Sequence, residues 1–443
     1  MIILASAIIM SLDNTNIFNK AEEATDKYTG VQEKQKMQIA VVNAAAKGGV
    51  NITNLTETIN DEFNDDWEYF RKAEDYCVVR VKSSQRRYEI TTEGKLEDYE
   101  EIEVLADKSF FTYSDSRITG ISAHGNGILT ELAGKNVKLI ISEEFEIIGV
   151  SRLGGGFSNL KNLSIYAPNI TTINGSAFTS CKSLVSIYAP NAIDVGVSGF
   201  ANCTNLTNVY IPNLTTINTS AFYNCINLTN VDVSGVTELQ SAAFSNCKSL
   251  KNINLPNVII VGSVAFSGCT NLTSIDLPLI SDLKLQTFYG CTNLVEVNLE
   301  NVKAIENHAF NGCTNLVKVN TKNLESIGDS VFYNCTNLTN IDLSKVTSIG
   351  ERPFQGCVNL TSVDLTNMVN LGKNAFFRCN NLKNIKFSKL ESVGASAMQG
   401  LSNNLTINYT GTTEEWNNIS IDPSNNNRLI NAKVICSDGT ING

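Results

Sequence analysis

The 443-residue chain is 42% hydrophobic and only 18% charged, so it can build ordinary cores while its surface is filled by uncharged polar residues, chiefly Asn, Thr and Ser. Its net charge of −10 is uneven: residues 1–110 carry −8 and residues 111–443 only −2, and no basic footprint of the kind a nucleic-acid binder needs is present. Two histidines far apart, His124 and His308, give little material for a His-based metal site or catalytic triad.

Residues 1–12 are apolar but shorter than the ~20 needed to span a bilayer. Ile17, Ala21, Ala24, Tyr28, Val31, Gln35, Gln38, Val42 and Ala45 then recur at steps of three and four, which predicts a helix over 1–47 that stops at Gly48-Gly49. An apolar start running into a polar amphipathic helix resembles the membrane-proximal segment of prepilin-type (type IV pilin-like) proteins. The Gly followed by Phe-Thr-Leu-Ile-Glu that such proteins carry is missing, so either the start is truncated or misassigned, or the motif is lost. Truncation would put a membrane anchor upstream; the alternative is an amphipathic helix packed on its own domain. Either way, 1–47 is where pilus or membrane partners would be sought.

Residues 48–110 are expected to form a small α+β head, pilin-like if that resemblance holds. A short helix over 51–64 shows Ile52, Leu55, Ile59 and Phe63 on one face, and β-rich runs come after it at 77–82 and 87–91, with a turn at Glu93-Gly94 before a further strand. The acidic run around Asp61, Glu62, Asp65, Asp66 and Glu68 lacks the spaced oxygen ligands of a calcium loop and reads as a solvated face. Residues 111–155, with strand-like Lys138-Leu139-Ile140-Ile141, are expected to cap the periodic region that begins at 156.

From 156 to 404 the chain is periodic. Cys181, Cys203, Cys225, Cys247, Cys269, Cys291, Cys313, Cys335, Cys357 and Cys379 stand 22 residues apart. Three residues before them stand Phe178, Phe200, Phe222, Phe244, Phe266, Phe288, Phe310, Phe332, Phe354 and Phe376, and three after them is always Leu. Position six after each cysteine is Ile or Val, position eight mostly Leu, and position fourteen Ile, Val or Leu. Residues two apart share one face of an extended chain, so the Leu-x-x-Ile-x-Leu segment predicts one short strand per repeat, ended by the Pro or polar residue behind it. A single unit cannot bury its apolar face, so the copies stack as a solenoid with a parallel sheet, about eleven strands over ~50 Å. The phenylalanines and cysteines are the expected core columns. A uniform 22-residue spacing supplies no local Cys pairs for zinc, and parallel in-register thiols suit disulfides poorly. The cysteines therefore read as small buried hydrophobes, with Cys77 and Cys436 outside the ladder and free or paired.

The string Ala-Phe-x-x-Cys-x-x-Leu-x-x-Ile-x-Leu-Pro resembles the leucine-rich repeats of BspA-like bacterial surface antigens, over about twelve copies counting degenerate ends at Phe157/Leu160 and Met398/Leu401. Residues 409–416 and 429–432 are similar to the family's closing segment, which makes 405–443 a C-terminal cap with Trp416 over the core. The fold class is thus a β-rich leucine-rich-repeat solenoid preceded by a long helix and a small head.

No Walker loop, dinucleotide fingerprint, Gly-x-Ser-x-Gly or His-Glu-x-x-His is found, so no catalytic residue, metal ligand or cofactor is assigned. Gly154-Gly155-Gly156 reads as a turn rather than a phosphate cradle. The candidate ligand-facing positions lie seven after each cysteine: Tyr188, Tyr210, Asp232, Asn254, Asp276, Asn298, Asn320, Asp342 and Asp364. With the residues at position five they would line the exposed sheet face, either as a recognition stripe for a protein or glycan or as a ladder kept polar for solubility. The resemblance implies adhesion at a cell surface; the alternative is a minor pilin or pseudopilin carrying the solenoid on a filament.

Overall fold

In a computed structural model the chain is described continuously from 101 to 441 and, before that, over parts of 33–98. The expected apolar start and most of the predicted helix, residues 1–32, lie outside the described residues. Two compact units divide at Glu101/Ile102, ahead of the boundary expected at 110. No helix among the described residues is long and apolar enough to cross a membrane.

In the first unit, helical Met37, Ala40, Val41 and Ala44 are buried together with Ile59 and Phe63 of α1 (Ile52–Phe63). Of the predicted stripe Gln38 is described and is exposed, while Gln35, Val42 and Ala45 lie outside the described residues; the buried positions run through Met37, Ala40, Val41 and Ala44. An antiparallel sheet follows in the order β1 (Trp67–Lys72), β2 (Tyr76–Val81), β3 (Arg87–Thr91), β4 (Leu96–Asp98). Trp67, Val79, Tyr88 and Ile90 complete its core. Its polar atoms are partnered: Trp67 Nε1 donates to Asn60 Oδ1 at 2.5 Å, and the Tyr88 hydroxyl to buried Glu33 at 3.2 Å.

The second unit opens with β5 (Ile102–Ala106), which pairs in parallel with β8 (Asn136–Ile141) and so already belongs to the solenoid sheet. Between them lie the hairpin β6 (Phe111–Ser114) and β7 (Arg117–Ile121) and the helix α2 (Ala123–Glu131), capped by the Ser122 hydroxyl accepting from the Gly125 amide. The Gly-Gly-Gly segment is a short 3-10 turn, Leu153–Phe157, where a Cβ on Gly154 would sit 2.6 Å from Cys181 Cβ.

The repeats then make two strands rather than the predicted one, except that the repeat of Cys247 keeps only the second, Ile260–Val261. The first, such as Leu184–Tyr188 or Ser274–Asp276, is the predicted strand; the second, such as Asp194–Val195 or Asp282–Leu283, ends on the apolar residue fourteen after the cysteine. Both pair in parallel with their copies one repeat away, giving two ladders around one core. The second strand is only two residues long, too short to show an alternation in sequence. The first ladder is not continuous either. Strand pairing lapses at residues 251–255 and again between Ile341 and Ser362, leaving sheet sections of six, four and five strands.

Inside, the ten phenylalanine rings from Phe178 to Phe376 are fully buried and stack face to face at centroid distances of 5.3–5.7 Å. All ten ladder thiols are buried and unpaired. Each from Cys203 to Cys379 donates its S–H to the carbonyl of the phenylalanine 25 residues earlier, at 2.9–3.1 Å. That bond explains why the column is cysteine and not alanine or valine: the site wants a small apolar atom that can also donate. Burial pushes the thiols far up, those of Cys225 and Cys269 to about 12, so the ladder is neutral. At the turn after the first strand, Asn191, Asn213, Asn301 and Asn323 donate to carbonyls one repeat back at 2.7–2.9 Å. The far end closes with α3 (Thr413–Asn417), whose Trp416 is buried edge-on against Tyr409 at 5.4 Å.

Candidate binding face

In the first-ladder strands the residue at position six is turned into the core, buried except at half-buried Val231, while those at five and seven point out of the sheet. The in-register pairing carries each outward residue onto its copy in the next repeat: Ser186, Asn208 and Asn230 in one row, Tyr188, Tyr210 and Asp232 in the other. The same holds for Asp276, Asn298 and Asn320, and for Asp364, Lys386 and Asn408. All nine candidate residues are on this face, and each is exposed or half-buried. Three open cavities of about 820, 720 and 390 Å³ lie along it: the first lined from Ser186 to Asp276, the second from Glu296 to Asp342, the third from Asn340 to Asn408.

The row does not treat its members alike. Asp232, Asp342 and Asp364 each accept from the backbone amide two residues on, and their carboxylates also take the hydroxyls of Ser234, Ser344 and Thr366. These are Asx turns, which end the strand in repeats where no Pro stands at position nine. Partial burial pushes the Asp364 carboxyl up, but bonds from Thr366 and from Lys386 Nζ at 3.2 Å outweigh it and hold its pKa below the usual range. Asn298 accepts from the Glu300 amide and donates to Asp276 at 3.3 Å, and Asn320 donates to Asn298 at 2.9 Å. Much of the polar row is thus occupied by turn and ladder bonds, as is the Lys318–Glu296 pair at 3.1 Å beside it.

The tyrosines have no such occupation. Tyr188 and Tyr210 stack at 4.9 Å with their planes 4° apart, and a third ring, Tyr166, stacks on Tyr188 at 5.1 Å. Each is about 40% exposed. Tyr166 escaped the sequence register because its repeat is one residue short, and a bulge at Leu163/Ser164 restores the pairing. The signal that would have found it is the repeated Ser-Ile-Tyr of 164–166 and 186–188. Upstream the same row continues as Ile140 and Leu105, the latter 63% exposed. The face therefore has an aromatic and apolar end and a polar end, meeting between Tyr210 and Asp232. Among the described residues no group of three or more His, Cys, Asp or Glu could hold a metal ion.

The model of the BspA type leucine-rich repeat region, six copies long, matches in overlapping stretches from 135 to 426, more than half of the chain. The chain belongs to that repeat family. Among solved structures, a leucine-rich repeat protein from Bacteroides ovatus is similar at 23% identity over 83% of this chain and 100% of that one, with a TM-score of 0.53. A leucine rich cell surface protein from Faecalibacterium prausnitzii is 19% identical over 76% and 97% of the two chains, with a TM-score of 0.32. No curated protein sequence matches.

Proposed function

We propose that this chain is a non-enzymatic binding protein of a bacterial cell surface, which offers the exposed face of its first ladder to a protein or glycan ligand. The observation that carries this reading is that three open cavities lie in a row on that one face, between Ser186 and Asn408. A face built by stacking repeats gives an extended surface whose residues change one at a time while the core stays fixed. Membership of the BspA-type repeat family supports the surface location. The test uses the full chain on protein and glycan arrays beside a variant carrying Asn208→Lys, Thr339→Lys and Asn384→Lys, one charge in each cavity. The expected result is a ligand captured by the parent and lost by the variant at an unchanged melting temperature. Equal capture by both would move binding off this face.

A further inference from the structure

Stacking leaves the tyrosine run with two outer faces, one at each end. Both faces of Tyr188 are covered, by Tyr166 and Tyr210. At the upstream end Lys138 Nζ lies over the Tyr166 ring, 5.8 Å from its centroid, and is held there by Glu103 at 2.6 Å on the neighbouring strand. The order is carboxylate, cation, aromatic face, in which the ring quadrupole and the carboxylate both attract the same charge.

The downstream end has two of these three parts. The outer face of Tyr210 turns toward its register partner Asp232, a much smaller side chain, so the row drops by the depth of a ring at this step. Beyond it opens the largest of the three cavities, whose lining carries the carboxylates of Asp232 and Asp276 and no basic side chain. Lys251, the lysine nearest in sequence, is not among the lining residues. Asp232 spends Oδ1 on Ser234, and Asp276 accepts from Asn298; among the described residues no lysine or arginine pairs with either.

We propose that this ledge seats an arginine side chain of a partner protein, its guanidinium lying on Tyr210 and facing Asp232. This deepens the reading of the sheet face given above and rests on it. A planar cation matches a flat ring better than an ammonium does, and its fork can bond the second oxygen of Asp232 and the surrounding amides of Asn230 and Asn254. Asp276 lies two repeats further on, beyond the lapse of pairing at 251–255, and adds attraction through the field rather than by contact.

The test titrates the full chain calorimetrically with the capped peptide Gly-Arg-Gly-Arg-Gly and with its twin in which citrulline, neutral and of the same shape, replaces both arginines. The arginine peptide is expected to bind at least tenfold more tightly, and to weaken as salt rises. Tyr210→Ala should reduce its affinity about five- to tenfold, while Tyr210→Phe, which keeps the ring face, should not. Asp232→Asn keeps the Oδ1 acceptor of the turn and removes only the charge; a loss of about fivefold is expected, against none for Asp364→Asn at the far end of the row. Equal binding of the two peptides, no saturable binding of either, or full affinity in Tyr210→Ala would each overturn the proposal. If the arginine peptide fails while an array ligand is still lost by the triple lysine variant, the face is right and the cation is wrong. If the array ligand is indifferent to the face, the broader reading fails as well.

Discussion

The inside of the solenoid and its exposed face are built from the same 22 residues, yet they obey different rules. Inside, Phe stacks on Phe and each thiol from Cys203 to Cys379 bonds the same carbonyl one repeat back, at distances that vary by a few tenths of an ångström from one end to the other. Outside, one row passes from Leu105 and Ile140 through three tyrosines to Asp, Asn and Lys, across a bulge at Leu163/Ser164 and two lapses of pairing. Uniformity belongs to the residues that make the fold. Variation belongs to those that can distinguish one ligand from another.

That contrast can be broken most severely by pH. Every ladder thiol is neutral in the folded state, with its pKa pushed up by burial, whereas in the unfolded chain it ionises near 8.5. The native state then binds more protons than the unfolded one, so stability is full below about pH 8 and falls as pH rises past 9. Each thiol contributes a slope of about 1.4 kcal/mol per pH unit, and with ten buried thiols the denaturant midpoint should collapse between pH 9 and 11. A midpoint flat across that range would mean that the thiols are not sequestered.

Next in size is a single ring. Phe288→Ala, between Phe266 and Phe310, should cost about 3–5 kcal/mol, read by chemical denaturation. Smaller effects separate members of the polar row. Asp342→Ala removes two bonds of a turn and should cost about 1 kcal/mol, whereas Asp276→Ala, which ends a strand already followed by Pro278, should stay within about 0.5 kcal/mol. Equal losses for the two aspartates would remove the distinction between carboxylates that form a turn and those that do not.

The repeat, its phase and the outward direction of positions five and seven could be read directly, because a strict 22-residue period with apolar residues two apart leaves one arrangement of the first strand. What escaped was set by partners distant in sequence. The second strand is two residues long and exists only because its copy lies beside it in the next turn. The S–H bond of each cysteine goes to a carbonyl 25 residues away, which no local pattern shows. Tyr166 was hidden by a one-residue deletion in its repeat. The roles of Asp232 and Asp342 depended on the Ser two positions on, a local signal that lies outside the ligand-facing columns themselves.

The division between a fold-making interior and a binding face is tested most directly by one paired measurement on Tyr210→Ala: its melting midpoint and its capture of the ligand that the parent chain binds. Removing one stacked, half-exposed ring should cost about 1 kcal/mol, a fraction of the Phe288→Ala loss, while ligand binding falls several-fold. A midpoint lowered as far as that of Phe288→Ala, or a ligand bound as tightly as before, would contradict it.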